Sequence, residues 1–197
     1  YHLVSVTVDS VDVTSTNPSS YTFTNVTAGH IISVVYAIDN YLIDTTVTGG
    51  TISPDATKDY GSSYTVNYSP SLGYHLVSVK VDGINVTLIH PSSYTFSSIA
   101  SNHTISVVYA IDTNTIDTTV TNGTITPEDP TVNYGSNQTI TYSANPNYHL
   151  VSVTVDGNDV TATNPSSYTF TNVTTGHNIS VVYAIDNYLI DTTVTGG

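Results

Sequence analysis

The stretch ISVVYAIDTNTIDTTVT, residues 105–121, consists almost wholly of β-branched residues, Tyr and small polar residues, and both of its halves recur elsewhere in the chain. ISVVYAID stands again at 32–39 and 179–186, and IDTTVT at 43–48 and 190–195. Farther out, YHLVSV opens at Tyr1, Tyr74 and Tyr148, giving a period of 73 and then 74 residues. The extra residue falls where TISPDATKDYG (51–61) becomes TITPEDPTVNYG (124–135), a Pro-containing loop able to absorb it. Residues 1–50 and 148–197 agree at 45 of 50 positions, so these two blocks are near copies.

A natural unit runs from IDTTVT to ISVVYAID. It places complete domains at 43–112 and 116–186, with 1–39 as the C-terminal part of another unit and 190–197 as the first strand of a further one. The chain reads as a window of a longer array, and its lack of Met fits that expectation. Units of about 70 residues can bury a small core but gain from their neighbours.

Within 43–112 short strands are expected between turn signals. Thr45–Thr48 and Thr51–Ser53 flank Gly49-Gly50, with Asn122-Gly123 in the same slot of the next copy; both pairs suit a type I′ hairpin. SYTVNYS (63–69) alternates, with Tyr64, Val66 and Tyr68 on one face. Leu76–Val81 turns at Asp82-Gly83 into Ile84–Leu88, and Tyr94–Phe96 and Thr104–Ala110 complete the set. No stretch keeps a 3.6-residue period, so the expectation is an all-β tandem array of small β-sandwich or β-grasp-like domains. The segment Asn40–Leu42 is left as a short junction.

The succession TGGTISP (48–54), YG (60–61), YTVNYSPSLGYHLVSVKVDG (64–83), YTFSSI (94–99) and NHTISVVYA (102–110) resembles the divergent internalin B-repeat group, found in tandem on microbial surface proteins. The resemblance covers both complete units. It implies a cell-surface spacer, stalk or adhesion role and no catalysis.

Composition narrows function from another side. Two lysines against 15 carboxylates, net charge −13, exclude long-range attraction to nucleic acid or anionic lipid. No Cys is present, so disulfides and thiolate metal sites are excluded. No apolar run reaches the ~20 residues of a membrane span. Low Lys, no Cys and 59 Ser or Thr residues suit an exported protein.

Six of the seven histidines recur in register, at His2, His75 and His149 and at His30, His103 and His177. Imidazole is a good metal ligand, but two per unit fall short of the three protein ligands a site normally needs, so strand-edge hydrogen bonding is the expected role. Asp39 with Asp44, Asp112 with Asp117, and Asp186 with Asp191 recur at each junction and are the candidate calcium pairs, without the dense acidic run of calcium loops. No nucleophile elbow, zinc-protease motif or phosphate loop occurs, and no enzymatic activity is expected. Sequons at Asn25, Asn67, Asn85, Asn102, Asn122, Asn137, Asn172 and Asn178 are candidate glycosylation sites.

Ile38 and Ile43, Ile111 and Ile116, and Ile185 and Ile190 bracket the junctions and are expected to pack one domain on the next. The expected function is an extracellular structural repeat protein forming a surface rod, stalk or filament. The alternative is an adhesin or carbohydrate-binding module using Tyr41 and Tyr188. Expected partners are other copies, in a filament or by strand exchange, and glycans in the second reading.

Overall fold

A computed structural model of the chain describes residues 1–89, 91–193 and 195. The first strands are β1 (His2–Val8), β2 (Val11–Asp12) and β3 (Ile32–Ala37). The 43–112 repeat holds β4 (Asn40–Thr48), β5 (Gly50–Ile52), β6 (Ala56–Asp59), β7 (Tyr64–Pro70), β8 (Tyr74–Val81), β9 (Ile84–Asn85), β10 (Ser93–Phe96) and β11 (His103–Ile111). The 116–186 repeat holds β12 (Thr113–Thr121), β13 (Gly123–Thr126), β14 (Thr131–Asn133), β15 (Gln138–Ala144), β16 (Tyr148–Val155), β17 (Asn158–Asp159), β18 (Ser167–Phe170) and β19 (His177–Ile185). Among the described residues there is no helix, as a chain poor in helix formers requires. Contacts group the chain into two compact units, residues 1–71 with 76–109 and residues 72–75 with 110–197.

Each repeat has two sheets. In the first their orders are β6-β4-β11-β8-β9 and β10-β7-β5, in the second β14-β12-β19-β16-β17 and β13-β15-β18. First and last strands of a repeat are parallel neighbours at the centre of the larger sheet: β4 pairs β11 from Ile43 with His103 to Thr48 with Val108, and β12 pairs β19 from Ile116 with His177 to Thr121 with Val182. Alternation sorts the side chains between faces. β15 buries Ile140 and Tyr142 and turns Thr139 and Thr141 outward; β19 buries Ile179, Val181 and Tyr183. Those residues meet Ile116, Val153, Phe170 and Val173 in one core drawn from both sheets. The all-β expectation holds, as a sandwich whose larger sheet is mixed.

Three local expectations are corrected. Gly49-Gly50 and Asn122-Gly123 are not hairpins, because the strands they join lie in different sheets. Only the first residue of each pair has a positive φ, at 73° and 60°, so the chain turns a corner where a type I′ turn would need two such residues. Asn40–Leu42 is not a linker: Asn40 pairs with Asp59 and Leu42 with Thr57. The loop that absorbs the insertion carries the edge strands β6 and β14. Asp82-Gly83 is a true type I′ hairpin, with φ of 49° and 81°, although β9 stops at Asn85.

The flanking segments are simpler. Residues 1–39 form a sheet of order β2-β1-β3. Residues 190–193 carry no strand, and Val194, Gly196 and Gly197 lie outside the described residues. Of the bracketing isoleucines, Ile43 and Ile116 are wholly buried, Ile116 in the core of its own repeat; Ile38 and Ile111 are half-buried, and Ile185 and Ile190 exposed.

Candidate functional site

The recurrent histidines fall into two kinds of clamp. In the first, the Asp of the hairpin turn holds the start of the last strand. Asp82 Oδ2 lies 2.7 Å from His103 Nδ1, and its Oδ1 accepts the Thr104 N–H at 2.8 Å. The Asp82 N–H donates back to the Thr104 carbonyl at 3.0 Å. Asp156 repeats this with His177 and Asn178, at 2.7 and 2.9 Å, and Asp9 with His30 and Ile31, at 2.7 and 2.9 Å. The imidazole also packs on the Phe of YTF, with ring centroids 4.9 Å apart for Phe96 and His103 and 5.1 Å for Phe170 and His177. Burial works to raise the Asp82 and Asp156 carboxyls, but the backbone N–H and the histidine beside each outweigh it and hold both below the usual carboxylate range.

The second clamp sits where one repeat hands over to the next. Asp112 is the single residue between β11 and β12. Its carboxylate lies 2.6 Å from His75 Nδ1, its N–H donates to the Gly73 carbonyl at 2.8 Å, and its carbonyl accepts the Tyr134 N–H at 2.8 Å. The first two partners precede it in the 43–112 repeat; the third belongs to the YG turn of the 116–186 repeat. Asp186 makes the first pair of contacts with His149 and Asn147, and Asp39 pairs with His2 and accepts from the Tyr60 N–H. Gly73 packs so closely on the Tyr134 ring that a Cβ there would lie 2.2 Å from it.

These dyads act as clamps through hydrogen bonds between imidazole and carboxylate. Asp39, Asp112 and Asp186 are legible in the sequence as junction residues, Asp82 and Asp156 as Asp-Gly turn residues and each His as strand-edge, but Asp9, followed by Ser10, carries no such signal, and the pairing itself is not legible. The junction carboxylates Asp39, Asp112 and Asp186 have histidine partners, while Asp44, Asp117 and Asp191 are exposed. Among the described residues no group of three or more His, Cys, Asp or Glu is placed to hold a metal ion.

All eight sequon asparagines are exposed. Several are also engaged: Asn102 and Asn137 accept the N–H of Leu42 and of Asn172, and Asn122 Nδ2 donates to the Tyr183 carbonyl at 3.0 Å. Tyr41 is half-buried with its ring 6.4 Å from that of Tyr60, and Tyr188 is exposed. No helix among the described residues is long and apolar enough to cross a membrane.

The family described as the divergent InlB B-repeat domain matches residues 41–113 and 114–187, the two repeats seen in the structure. No curated protein matches the chain.

Proposed function

Because the chain belongs to the divergent InlB B-repeat family, a surface-type structural module, we propose that it is an extracellular spacer that carries tension along a row of repeats. One observation supports this above the others. A repeat's first and last strands are parallel neighbours, joined by a ladder from Ile116 with His177 to Thr121 with Val182. Tension applied through the two ends of such a repeat pulls these strands past each other, so the ladder is sheared along its length and its bonds break together. An antiparallel terminal pair would unzip one bond at a time. The junction fits the same role, since the force path from β11 to β12 contains only Asp112, clamped on both sides. Stalk and filament are forms such a spacer can take.

Single-molecule pulling tests this reading. Each complete repeat should unfold in one cooperative step, releasing roughly 25 nm of contour length at up to ~3.6 Å per residue. The force should be well above that of an antiparallel hairpin unzipped from its ends. Gradual extension at low force would sink the proposal.

A further inference from the structure

The sequence IDTTVT is seated on a strand reading His-x-Ile-Ser-Val-Val twice in this molecule. Residues 43–48 of β4 lie parallel to 103–108 of β11, and residues 116–121 of β12 lie parallel to 177–182 of β19, residue for residue in the same register. A third copy of each partner is present, at 190–195 and at 30–35, and these two are not joined. Among the described residues β3 pairs with β1 alone, so its other flank presents the N–H and C=O groups that β11 and β19 give to a first strand. Its side chains are equally unfinished. Ile32, Val34 and Tyr36 line an open apolar hollow with Val6 and Tyr21, whereas their counterparts Ile179, Val181 and Tyr183 close a core around Ile116. Tyr36 is 61% exposed and Tyr183 only 4%. The unseated partner is bare as well: residues 187–193 form no strand, and Tyr188, Leu189 and Ile190 are exposed.

We propose that residues 190–195 of one chain add to β3 of a second copy as a parallel strand, with Ile190 opposite His30 and Thr195 opposite Val35. The occupant is identified by the two seated examples, which show this six-residue sequence on this strand sequence in this register. The net charge of −13 does not act at the contact itself. IDTTVT carries a single carboxylate, which stays exposed at Asp44 and Asp117 when the strand is paired, and residues 30–35 carry none. Repulsion between the bodies of two chains is screened beyond about 8 Å at physiological salt. The added strand supplies the missing neighbour in the larger sheet and none of the smaller sheet, so the contact is weaker than a repeat's own ladder, with Kd on the order of 10⁻⁴ M. Donor and acceptor are different segments, so the contact is heterologous and continues from copy to copy. Such pairing requires no tension and stands apart from the spacer role.

Sedimentation velocity on the 197-residue chain, from about 10 μM to about 1 mM at about 0.15 M salt, should show a mass that climbs past the dimer with concentration. Ile190→Asp, at an exposed residue outside every strand, should leave the circular dichroism unchanged and weaken association at least about tenfold. In dilute protein, the synthetic peptide NYLIDTTVTGG at about 1 mM should slow amide exchange at 32–37 by about tenfold. Register is read by disulfide formation between copies. Chains with Thr193→Cys should cross-link to chains with Ser33→Cys, the partner expected from Thr46 opposite Ser106, at least about fivefold faster than to chains with Val35→Cys. A chain that stays monomeric throughout overturns the proposal, as do β3 amides indifferent to the peptide, association indifferent to Ile190→Asp, or equal cross-linking to the two cysteines. So does a monomer whose β3 is protected until Ile190→Asp exposes it, since the strand would then come from the same chain.

Discussion

Asp156 holds the His177 ring and the Asn178 N–H with one carboxylate and returns its own N–H to the Asn178 carbonyl. Its lowered pKa sets the sign of the acid response. The clamp's stabilisation is complete above the ordinary carboxylate value of 3.8 and is lost as pH falls through the lower folded value. Asp156→Asn should therefore cost about 1 kcal/mol near neutrality and flatten the decline of stability below pH ~4. Urea midpoints across that range measure it, and an unchanged slope would exclude the clamp as its source. Tyr142 acts at the other end of the scale. Burial, with Tyr183 nearby, pushes its hydroxyl up to about 12. The stability it contributes is intact below the ordinary value of 10.0 and is lost as pH rises from there to about 12. Absorbance at about 295 nm should show a late-ionising tyrosine class, smaller by one residue in Tyr142→Phe.

At the level of elements, the corner between β12 and β13 carries the tightest requirement. A Cβ on Gly123 would lie 2.5 Å from the Ser143 carbonyl oxygen and 2.6 Å from the Tyr183 ring. Backbone blocks it on one side and a core aromatic on the other. Gly123→Ala should cost upward of about 3 kcal/mol and melt the 116–186 repeat early in calorimetry. At Gly157, with a φ of 79° and open space around it, Ala should cost only about 1 kcal/mol. Equal losses at the two sites would contradict a corner set by close packing. The sequence shows the Gly at both places but does not distinguish a hairpin from a change of sheet. That difference lies in which strand each flank pairs with, and those partners are remote.

Across the whole molecule, identical segments take different states. ISVVYA is β3 at 32–37 and part of β19 at 179–184, yet Ile32 is 46% exposed and Ile179 only 1%. β19 has β12 on one side and β16 on the other, whereas among the described residues β3 has β1 alone. Amide hydrogen exchange should be faster at 32–37 than at 179–184 by at least about two orders of magnitude, since protection follows local stability and not local sequence. Comparable protection in the two copies would mean that β3 is held by contacts absent from the sheet described.

The sequence by itself determined the all-β class, the repeat and its period, the Asp82-Gly83 turn and the recurrent histidine positions, because period-2 alternation, β-branching and Asp-Gly preference are local properties. Tertiary structure decided the rest. The heptapeptide NYLIDTT lies in β4 at 40–46, with Ile43 wholly buried, while at 187–193 the same seven residues form no strand and Ile190 is 85% exposed. YTF is strand at 94–96 and 168–170, where β7 and β15 lie beside it, and not at 21–23. The Asp partner of each clamp lies 21 or 37 residues from its His, beyond any local pattern. A strand satisfies its backbone hydrogen bonds on another strand, so its existence depends on a neighbour that its own residues do not contain.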